Sequence, residues 1–325
     1  MRIVVDAMGG DNAPREIVLG CLNALNRDTR LTIALVGKQD IIHRVLEGNT
    51  NGRLEVIDAA EVITNEESPV EAIRRKKASS MVAGMDIVKR GEAEAFISAG
   101  NTGALMAGAL FRIGRIEGID RPALAPIIPT LSGGSMLIDA GANADCKPKN
   151  LLQFGLMGSA YMERVAGIAK PRVALVNVGS EKGKGNQLTK EAFELLEASN
   201  LNFIGNIEAR DIPEGKAEVL VCDGFVGNVI LKLTEGLAMS IFSELKKEFT
   251  ANTAAKLAAA VLKPGLKRFK ARLDYKEYGG AALLGVSGGC IKAHGSSDAK
   301  AIESAVFQAV KFVDMQVIDK IKEEI

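Results

Sequence analysis

Short apolar runs rich in Val, Ile and Leu alternate with stretches of helical period along most of the chain, and many runs stop at Gly, Asn, Asp or Ser. Continuous apolar runs, as opposed to strictly alternating ones, mark strands buried on both faces. The pattern predicts strands at Ile3–Asp6, Thr32–Val36, Leu54–Ile57, Ala95–Ile97, Met136–Asp139, Arg172–Asn177, Phe203–Ile207 and Val219–Cys222. Shorter runs at Ala123–Ile128, Ala282–Gly285 and Cys290–Ala293 are expected as antiparallel edge strands. Helices fill the gaps. One opens at Ser68-Pro69-Val70-Glu71, where a capping box and a Pro at the first helical position are expected. A final helix is expected to carry Ile302, Val306, Val310, Val313, Val317 and Ile321 on one face. Strand–helix alternation of this kind predicts an α/β fold, a mostly parallel sheet covered on both faces. No internal repeat, low-complexity linker or composition break divides the chain, so a single α/β/α unit over 1–325 is expected.

One segment departs from the pattern. From 243 to 277 the chain reads as helical and basic, with Lys246, Lys247, Lys256, Lys263, Lys267, Arg268, Lys270, Arg272 and Lys276 against few acids. Leu257, Val261, Leu262, Leu266, Phe269 and Leu273 recur at helical spacing, and Pro264-Gly265 interrupts the run. A projecting helical hairpin is expected. Its apolar stripe beside a basic face suits a membrane surface or an acidic protein, and equally a helix pair packed on the core or on a subunit partner.

Composition narrows the classes. Hydrophobic residues make up 47% of 325 residues and glycine contributes 34, which fits a well-packed α/β enzyme. Aromatics are 4% with no Trp, leaving little for base stacking, so no nucleic-acid partner is expected. The 41 basic and 40 acidic residues nearly cancel, so any electrostatic partner must be held by local clusters. Cys21, Cys146, Cys222 and Cys290 lie far apart with no CxxC pair. Buried thiols in a reducing cytosol are expected, with no metal site. The beginning, MRIVVDAMGG, reads as a first strand, and the uncharged stretches near 93–111 and 122–138 are interrupted by Asn, Thr, Gly or Pro. A cytoplasmic protein without a spanning helix is expected.

Five loops follow strands and are rich in Gly, Asn and Ser. In open α/β sheets, ligands settle at the carboxyl ends of strands, where the next helix directs free N–H groups and its positive dipole end. VDAMGGDNAP at 5–14 offers Gly9 and Gly10 for close backbone approach, with carboxylates at Asp6 and Asp11. SAGNTGALMAG at 98–108 offers Gly100, Asn101, Thr102 and Gly103 to phosphate oxygens. DAGANADCKPK at 139–149 carries Asn143, Lys147 and Lys149, and NVGSEKGKGN at 177–186 carries Lys182 and Lys184. LVCDGFVGNVILK at 220–232 is the most informative: a strand ends at Cys222, Asp223-Gly224 turns, and Phe225 opens a helical run. Together these loops point to a site for a small anion such as phosphate. GxxxxGK[ST], GxGxxG after the first strand, HExxH and GxSxG are all absent. His43 reads as a surface residue. His294, in GVSGGCIKAHGSSDAK, falls at a strand-to-helix turn where an imidazole could exchange protons near neutral pH. Cys222 and Cys290 read as packed thiols.

Taken together, VDAMGGDNAP, SAGNTGALMAG, LIDAGAN, NVGSEKGKGN, DGFVGN and AHGSSDAKA resemble, in order and spacing, the PlsX family of fatty acyl-acyl carrier protein:phosphate acyltransferases, over about residues 1–322. The resemblance implies transfer of a long-chain acyl group from an acyl carrier protein thioester to inorganic phosphate. The acyl-phosphate would feed a membrane acyltransferase that makes lysophosphatidic acid. It further implies a Rossmann-like three-layer α/β/α fold related to phosphotransacetylases and isopropylmalate dehydrogenases, a homodimer, no cofactor, and peripheral association with the inner face of the cell membrane. Ser287-Gly288-Gly289-Cys290 stands where a Ser-Arg arrangement would be expected for a CoA substrate, which counts against CoA as carrier. On these motif positions, catalytic roles are expected for Lys184, His294, Asp223 and Asn228, with Lys184 balancing phosphate charge and His294 protonating the thiolate or orienting phosphate. Asp223 is expected as a hydrogen-bond organiser. Phosphate contacts are expected at Gly9, Gly10, Asp11, Gly100, Asn101, Thr102, Gly103, Asn143 and Gly224. Carrier-protein or membrane contacts are expected at Lys256, Lys263, Leu266, Lys267, Arg268, Phe269 and Arg272. Two other readings stay open from the residues: a nicotinamide-dependent dehydrogenase on a related fold, and a non-enzymatic scaffold recruiting carrier protein to membranes.

Overall fold

The computed structural model describes residues 1–49, 51–273 and 279–325, without the side chains of 267, 268 and 270–273. Its strands are β1 (Arg2–Asp6), β2 (Thr32–Gly37), β3 (Leu54–Asp58), β4 (Ala95–Ser98), β5 (Ala123–Ala125), β6 (Ile127–Thr130), β7 (Gly133–Ile138), β8 (Arg172–Asn177), β9 (Asn202–Glu208), β10 (Val219–Val221), β11 (Ala281–Leu284) and β12 (Gly289–Lys292). Its helices are α1 (Arg15–Arg27), α2 (Gln39–Leu46), α3 (Pro69–Arg75), α4 (Ser80–Lys89), α5 (Thr102–Gly108), α6 (Pro148–Ala166), α7 (Gln187–Glu197), α8 (Gly224–Thr250), α9 (Thr253–Leu273), α10 (Ala299–Asp314) and α11 (Val317–Glu324).

These strands form two sheets. The first runs β3-β2-β1-β4-β12-β11-β5 and the second β6-β7-β10-β8-β9, both mostly parallel. Parallel strands joined by crossover helices must be covered on both faces, and helices supply that cover. One apolar cluster passes through both sheets, from Ile3 and Leu35 by way of Ile291 and Leu284 to Ile138, Leu175 and Val221.

Four expectations are corrected here. The 123–128 run is two strands, because Pro126 has no N–H for the ladder; β5 joins the first sheet beside β11, and β6 joins the second beside β7. The run at 290–293 is no edge. β12 lies in the middle of the first sheet, parallel to β4 and antiparallel to β11. The last helix is broken at Gln316, which takes φ 51° and turns the chain from α10 into α11, so the single apolar face is shared by two helices. Ser68 does cap α3 by position, with Pro69 at its start, but its hydroxyl makes no capping bond. Glu71 pairs instead with Arg75 at 2.7 Å.

The hairpin also differs from its expected bounds. It begins at Gly224, not near 243, because α8 runs 27 residues without a break from the DGFVGN turn. A window of this helix has mean hydropathy 1.4 and is only 6% buried, so α8 is long and apolar enough to cross a membrane by length and composition. Leu233, Leu237, Met239 and Ile241 stay exposed along it. Between α8 and α9 a 630 Å³ groove is lined by Phe242, Leu245, Phe249, Lys256, Lys263, Leu266 and Phe269. Pro264 is accommodated inside α9.

Candidate active site

The first sheet brings three loops together at its carboxyl edge. Asp6, at the end of β1, is 2% exposed and accepts a hydrogen bond from Ser98 Oγ at 2.7 Å, tying the first loop to the end of β4. Burial raises its pKa, and bonds from Ser80, Ser98 and the backbone of Met8 and Gly9 oppose that shift. Gly9 has no alternative: a Cβ there would lie 2.6 Å from Asp6 Oδ2 and 2.7 Å from the Gly100 nitrogen. The third loop follows β12. Asp11 N–H donates to the Gly295 carbonyl at 2.8 Å, and Ala293 N–H to Ser98 O at 3.0 Å.

The second sheet organises its edge around Asp139, which is fully buried after β7. Its carboxylate accepts from the backbone N–H groups of Leu124, Gly141, Ala142 and Asn143 at 3.0, 3.2, 3.0 and 2.6 Å, and from Asn143 Nδ2 at 3.0 Å. Burial raises this pKa too, against those donors. Asn143 in turn receives the Gly224 N–H on its carbonyl at 2.7 Å, fixing the start of α8. Asp223 caps that helix, its Oδ1 accepting from Val226 N–H at 2.8 Å.

Between the two edges lies a crevice of 360 Å³. Thr102, Gly103, Lys292, His294 and Gly295 line it from the first sheet, and Gly141, Asn228, Lys232 and Glu235 from the second. Lys232 and Glu235 are paired at 2.8 Å on α8. His294 Nδ1 accepts from the Ser296 N–H at 3.2 Å, which places its ring proton on Nε2 in the neutral form. Partial burial, with help from Lys232 and Lys292, lowers its pKa below the ordinary histidine range, while Glu235 and Asp11 oppose the shift. Lys292 is 8% exposed.

The structure thus brings together Thr102, Gly103, Asn228 and His294 of the residues named from sequence. Gly9, Gly10, Asp11 and Gly100 build the wall behind them. Gly10 takes φ 104° and packs on Gly295 O and Ala99. Others are spent on the fold. Asn101 caps α5, accepting from Ala104 N–H at 2.9 Å and donating to Thr64 O at 3.1 Å. The Asn143 amide donates to Pro122 O at 2.8 Å as well as to Asp139, and the Gly224 N–H is already bonded to Asn143. None of these three is placed to offer its donor to an anion in the crevice. Gly100 N–H likewise donates to Ser98 Oγ at 3.0 Å.

Lys184 and Asp223 lie elsewhere. Asp223 lines a separate 390 Å³ cavity with Asn177, Gly185, Asn186 and Val226, and Lys184 is exposed on the loop beside it. The reason is strand order: β8 stands beyond β10 from β7, so its loop opens on the far side of α8 from Asn228. Lys256, Lys263, Leu266 and Phe269 are on the hairpin, where Phe269 also packs on Phe242 at 6.2 Å. The side chains of Lys267, Arg268 and Arg272, and all of Lys276, lie outside the described residues. His43 is exposed on α2. Burial pushes the thiols of Cys222 and Cys290 up, the latter to about 12.

Lys292, Lys232 and Asp139 were not singled out by the sequence. For Lys292 a signal existed: one lysine ends an otherwise apolar strand, Gly-Cys-Ile-Lys-Ala, where a charge has a reason to be.

Strand-end loops converging on a glycine-lined crevice define an α/β protein with a ligand site at the carboxyl edges of its sheets, and comparison with known proteins narrows this. Residues 1–320 match a family described as fatty acid synthesis protein, and the chain belongs to that family, the PlsX family. A phosphate acyltransferase of Alkaliphilus oremlandii is 58% identical, covering 99% of this chain and 97% of the relative. One from Clostridium tetani is 54% identical over 100% of this chain and 98% of its own length. Among solved structures, a phosphotransacetylase from Streptococcus pyogenes superposes with TM-score 0.63 at 20% identity, covering 98% of this chain and 94% of that one. The EutD phosphotransacetylase from Staphylococcus aureus gives 0.61 at 14%, covering 96% and 93%. These two share the fold. The protein is an acyltransferase.

Proposed function

We propose that the protein moves a long-chain acyl group from an acyl carrier protein thioester to inorganic phosphate, releasing acyl-phosphate for lysophosphatidic acid synthesis by a membrane acyltransferase. The observation that carries this reading is the crevice, where Asn228, Lys232, Lys292 and His294 meet beside Gly103 and Gly141 in a chain of the phosphate acyltransferase family. Small residues leave room for backbone to approach a substrate, and the cations balance a dianion. Phosphate is already nucleophilic and a thiolate is a fair leaving group, so direct attack needs no acyl-enzyme. Alignment of the two can supply effective molarities of roughly 10⁵ M or more. The raised pKa values of Cys222 and Cys290 agree with direct attack, since neither thiol is poised as a nucleophile. Thiol release from acyl-carrier protein should depend on phosphate and leave one acyl-phosphate per thiol. Release at the same rate without phosphate would defeat the reading.

The remainder of the proposal is a cytoplasmic homodimer that rests on the inner face of the membrane and receives an acidic carrier, and the hairpin supports its membrane contact. Exposed Leu257 (68%) and Val261 (81%) stand on α9 near Lys256 and Lys263, an arrangement suited to an anionic lipid surface. Leu266 and Phe269 are poor probes, because they also line the groove between the helices. Replacing Leu257 and Val261 together by glutamate should weaken binding to anionic vesicles about tenfold or more, from lost apolar burial and added repulsion, with soluble activity retained. Unchanged co-sedimentation would remove this surface from membrane contact.

A further inference from the structure

The crevice contains a buried cation, Lys292, whose position allows more than charge balance for phosphate. Lys292 is the last residue of β12, a strand held between β4 and β11, so its backbone is fixed by ladders on both sides. Its ammonium donates to the carbonyl of Ala293 and lies within the field of Asp6, at the end of β1, and Asp11, on the loop after it. Lys232 faces it from α8, paired with Glu235, and His294 lines the same crevice two residues on. Gly141 and Asn228 close the opposite side.

We propose that Lys292 is the proton donor of the acyl transfer, delivering its proton from Nζ to the sulfur of the departing carrier thiolate. This deepens the phosphate acyltransferase reading and rests on it. The step balances within the crevice. A phosphate oxygen forms the new C–O bond, the C–S bond breaks with its electron pair on sulfur, and the Nζ proton moves to that sulfur. The neutral amine left behind takes the hydroxyl proton of the new acyl-phosphate, a weaker base than phosphate itself. The products are the free thiol and the acyl-phosphate dianion, and Lys292 is an ammonium again. No outside acid, metal or oxidant is required.

The local electrostatics separate Lys292 from its neighbour. Burial lowers the Lys292 pKa to about 8, with Lys232 acting in the same direction and Asp6 and Asp11 against it. A cysteine thiol titrates at about 8.5 and a simple alkyl thiol higher, so transfer of the proton from such an ammonium to the carrier thiolate runs downhill. Burial and both lysines lower the His294 pKa from its ordinary value, which disfavours its imidazolium form beside two cations. The sign for pH follows. Lys292 is charged below its pKa, so its contribution is present at neutral pH and is lost as pH rises through about 8.

The test compares two acyl donors with wild type, Lys292→Met and Lys292→Arg. An acyl-pantetheine thioester needs its thiolate protonated; an acyl-thiophenol thioester has a far more acidic thiol and leaves unaided. Lys292→Met should lose roughly 10²–10³ in kcat on the pantetheine donor and less than about tenfold on the thiophenol donor. Lys292→Arg, which keeps the charge and cannot release a proton in this range, should be slow on pantetheine alone as well. Wild-type kcat/KM should fall above about pH 8 with the first donor and stay level with the second. Equal losses on both donors, or the same alkaline limb with both, would overturn the proposal. Because the pH comparison uses the wild-type protein, it decides the matter even if Lys292→Met folds badly. Should wild type show no phosphate dependence with either donor, the acyltransfer reading itself would fall, an outcome distinct from the others.

Discussion

Replacing Gly227 by alanine should remove activity and most of the folded protein. A Cβ at this position would sit 1.8 Å from the Asp139 carbonyl oxygen, 2.9 Å from its carbon and 3.0 Å from Cys222 Sγ. The first two are backbone atoms of a buried turn, so neither can swing aside, and α8 would have to lift off the end of β7. That helix carries Asn228, Lys232 and Glu235 into the crevice. Overpacking of this kind costs about 1–3 kcal/mol where neighbours can shift, and more where they cannot. Activity should therefore drop by at least about 10²-fold, since displacement of roughly an ångström is enough to misalign reactants. Gly236→Ala is the matched control on the same helix. Nothing lies within 4 Å of a Cβ there, so it should stabilise by about 0.5–1 kcal/mol through helix propensity. Thermal melts and turnover of the pair check this. Similar behaviour of the two variants would mean that the contact of α8 with Asp139 does not matter.

The second large effect is expected at Asp139. Its carboxylate is the common acceptor for Leu124, Gly141, Ala142 and Asn143 N–H groups and for the Asn143 amide. Truncation to alanine leaves those donors without their partner in a buried turn. At about 1–3 kcal/mol for each unmet donor, less what entering water recovers, a loss of roughly 3–5 kcal/mol is expected. That is a large part of an ordinary domain's 5–15 kcal/mol, roughly. Asp139→Asn should fall between, because it retains one carbonyl oxygen and turns an NH₂ toward N–H groups. Urea unfolding of the three proteins would measure it; a midpoint for the alanine variant equal to wild type would contradict the role of Asp139 as organiser of the second edge.

Much of this fold is legible in the chain. The apolar runs at 3–6, 32–36, 95–97, 172–177 and 219–222 all become buried parallel strands, and their position is set by composition alone. The LVCDGFVGNVILK run is a strand end, a capped turn and a helix, as the local rules require. The misreadings share a cause. Whether β12 is central or an edge depends on which strands stand beside it, a contact nearly 200 residues away at Ala95 that leaves no local mark. Pro126 was visible, yet that it parts two sheets was not. The site shows the same division. Asn101 and Asn143 have the residue type expected of an anion ligand, and the same amide chemistry serves to satisfy turn backbone, so sequence cannot tell one use from the other. Lys292 was passed over for the opposite reason: a lysine is an ordinary surface residue until a fold buries it.

The sequence by itself determined the class of structure, the location of the ligand-ready turns, the basic helical segment and the family. Each of those rests on spacing within a few residues or on motif order, which a linear pattern records. Only the tertiary structure decided that two sheets share the work, that Asn228 of α8 lines one cavity while the loop carrying Lys184 lies beside another, and that Lys292 is a buried cation of the crevice. Those facts depend on the order in which strands pair and on how much water is excluded around a charge, and both are properties of distant chain segments meeting in space.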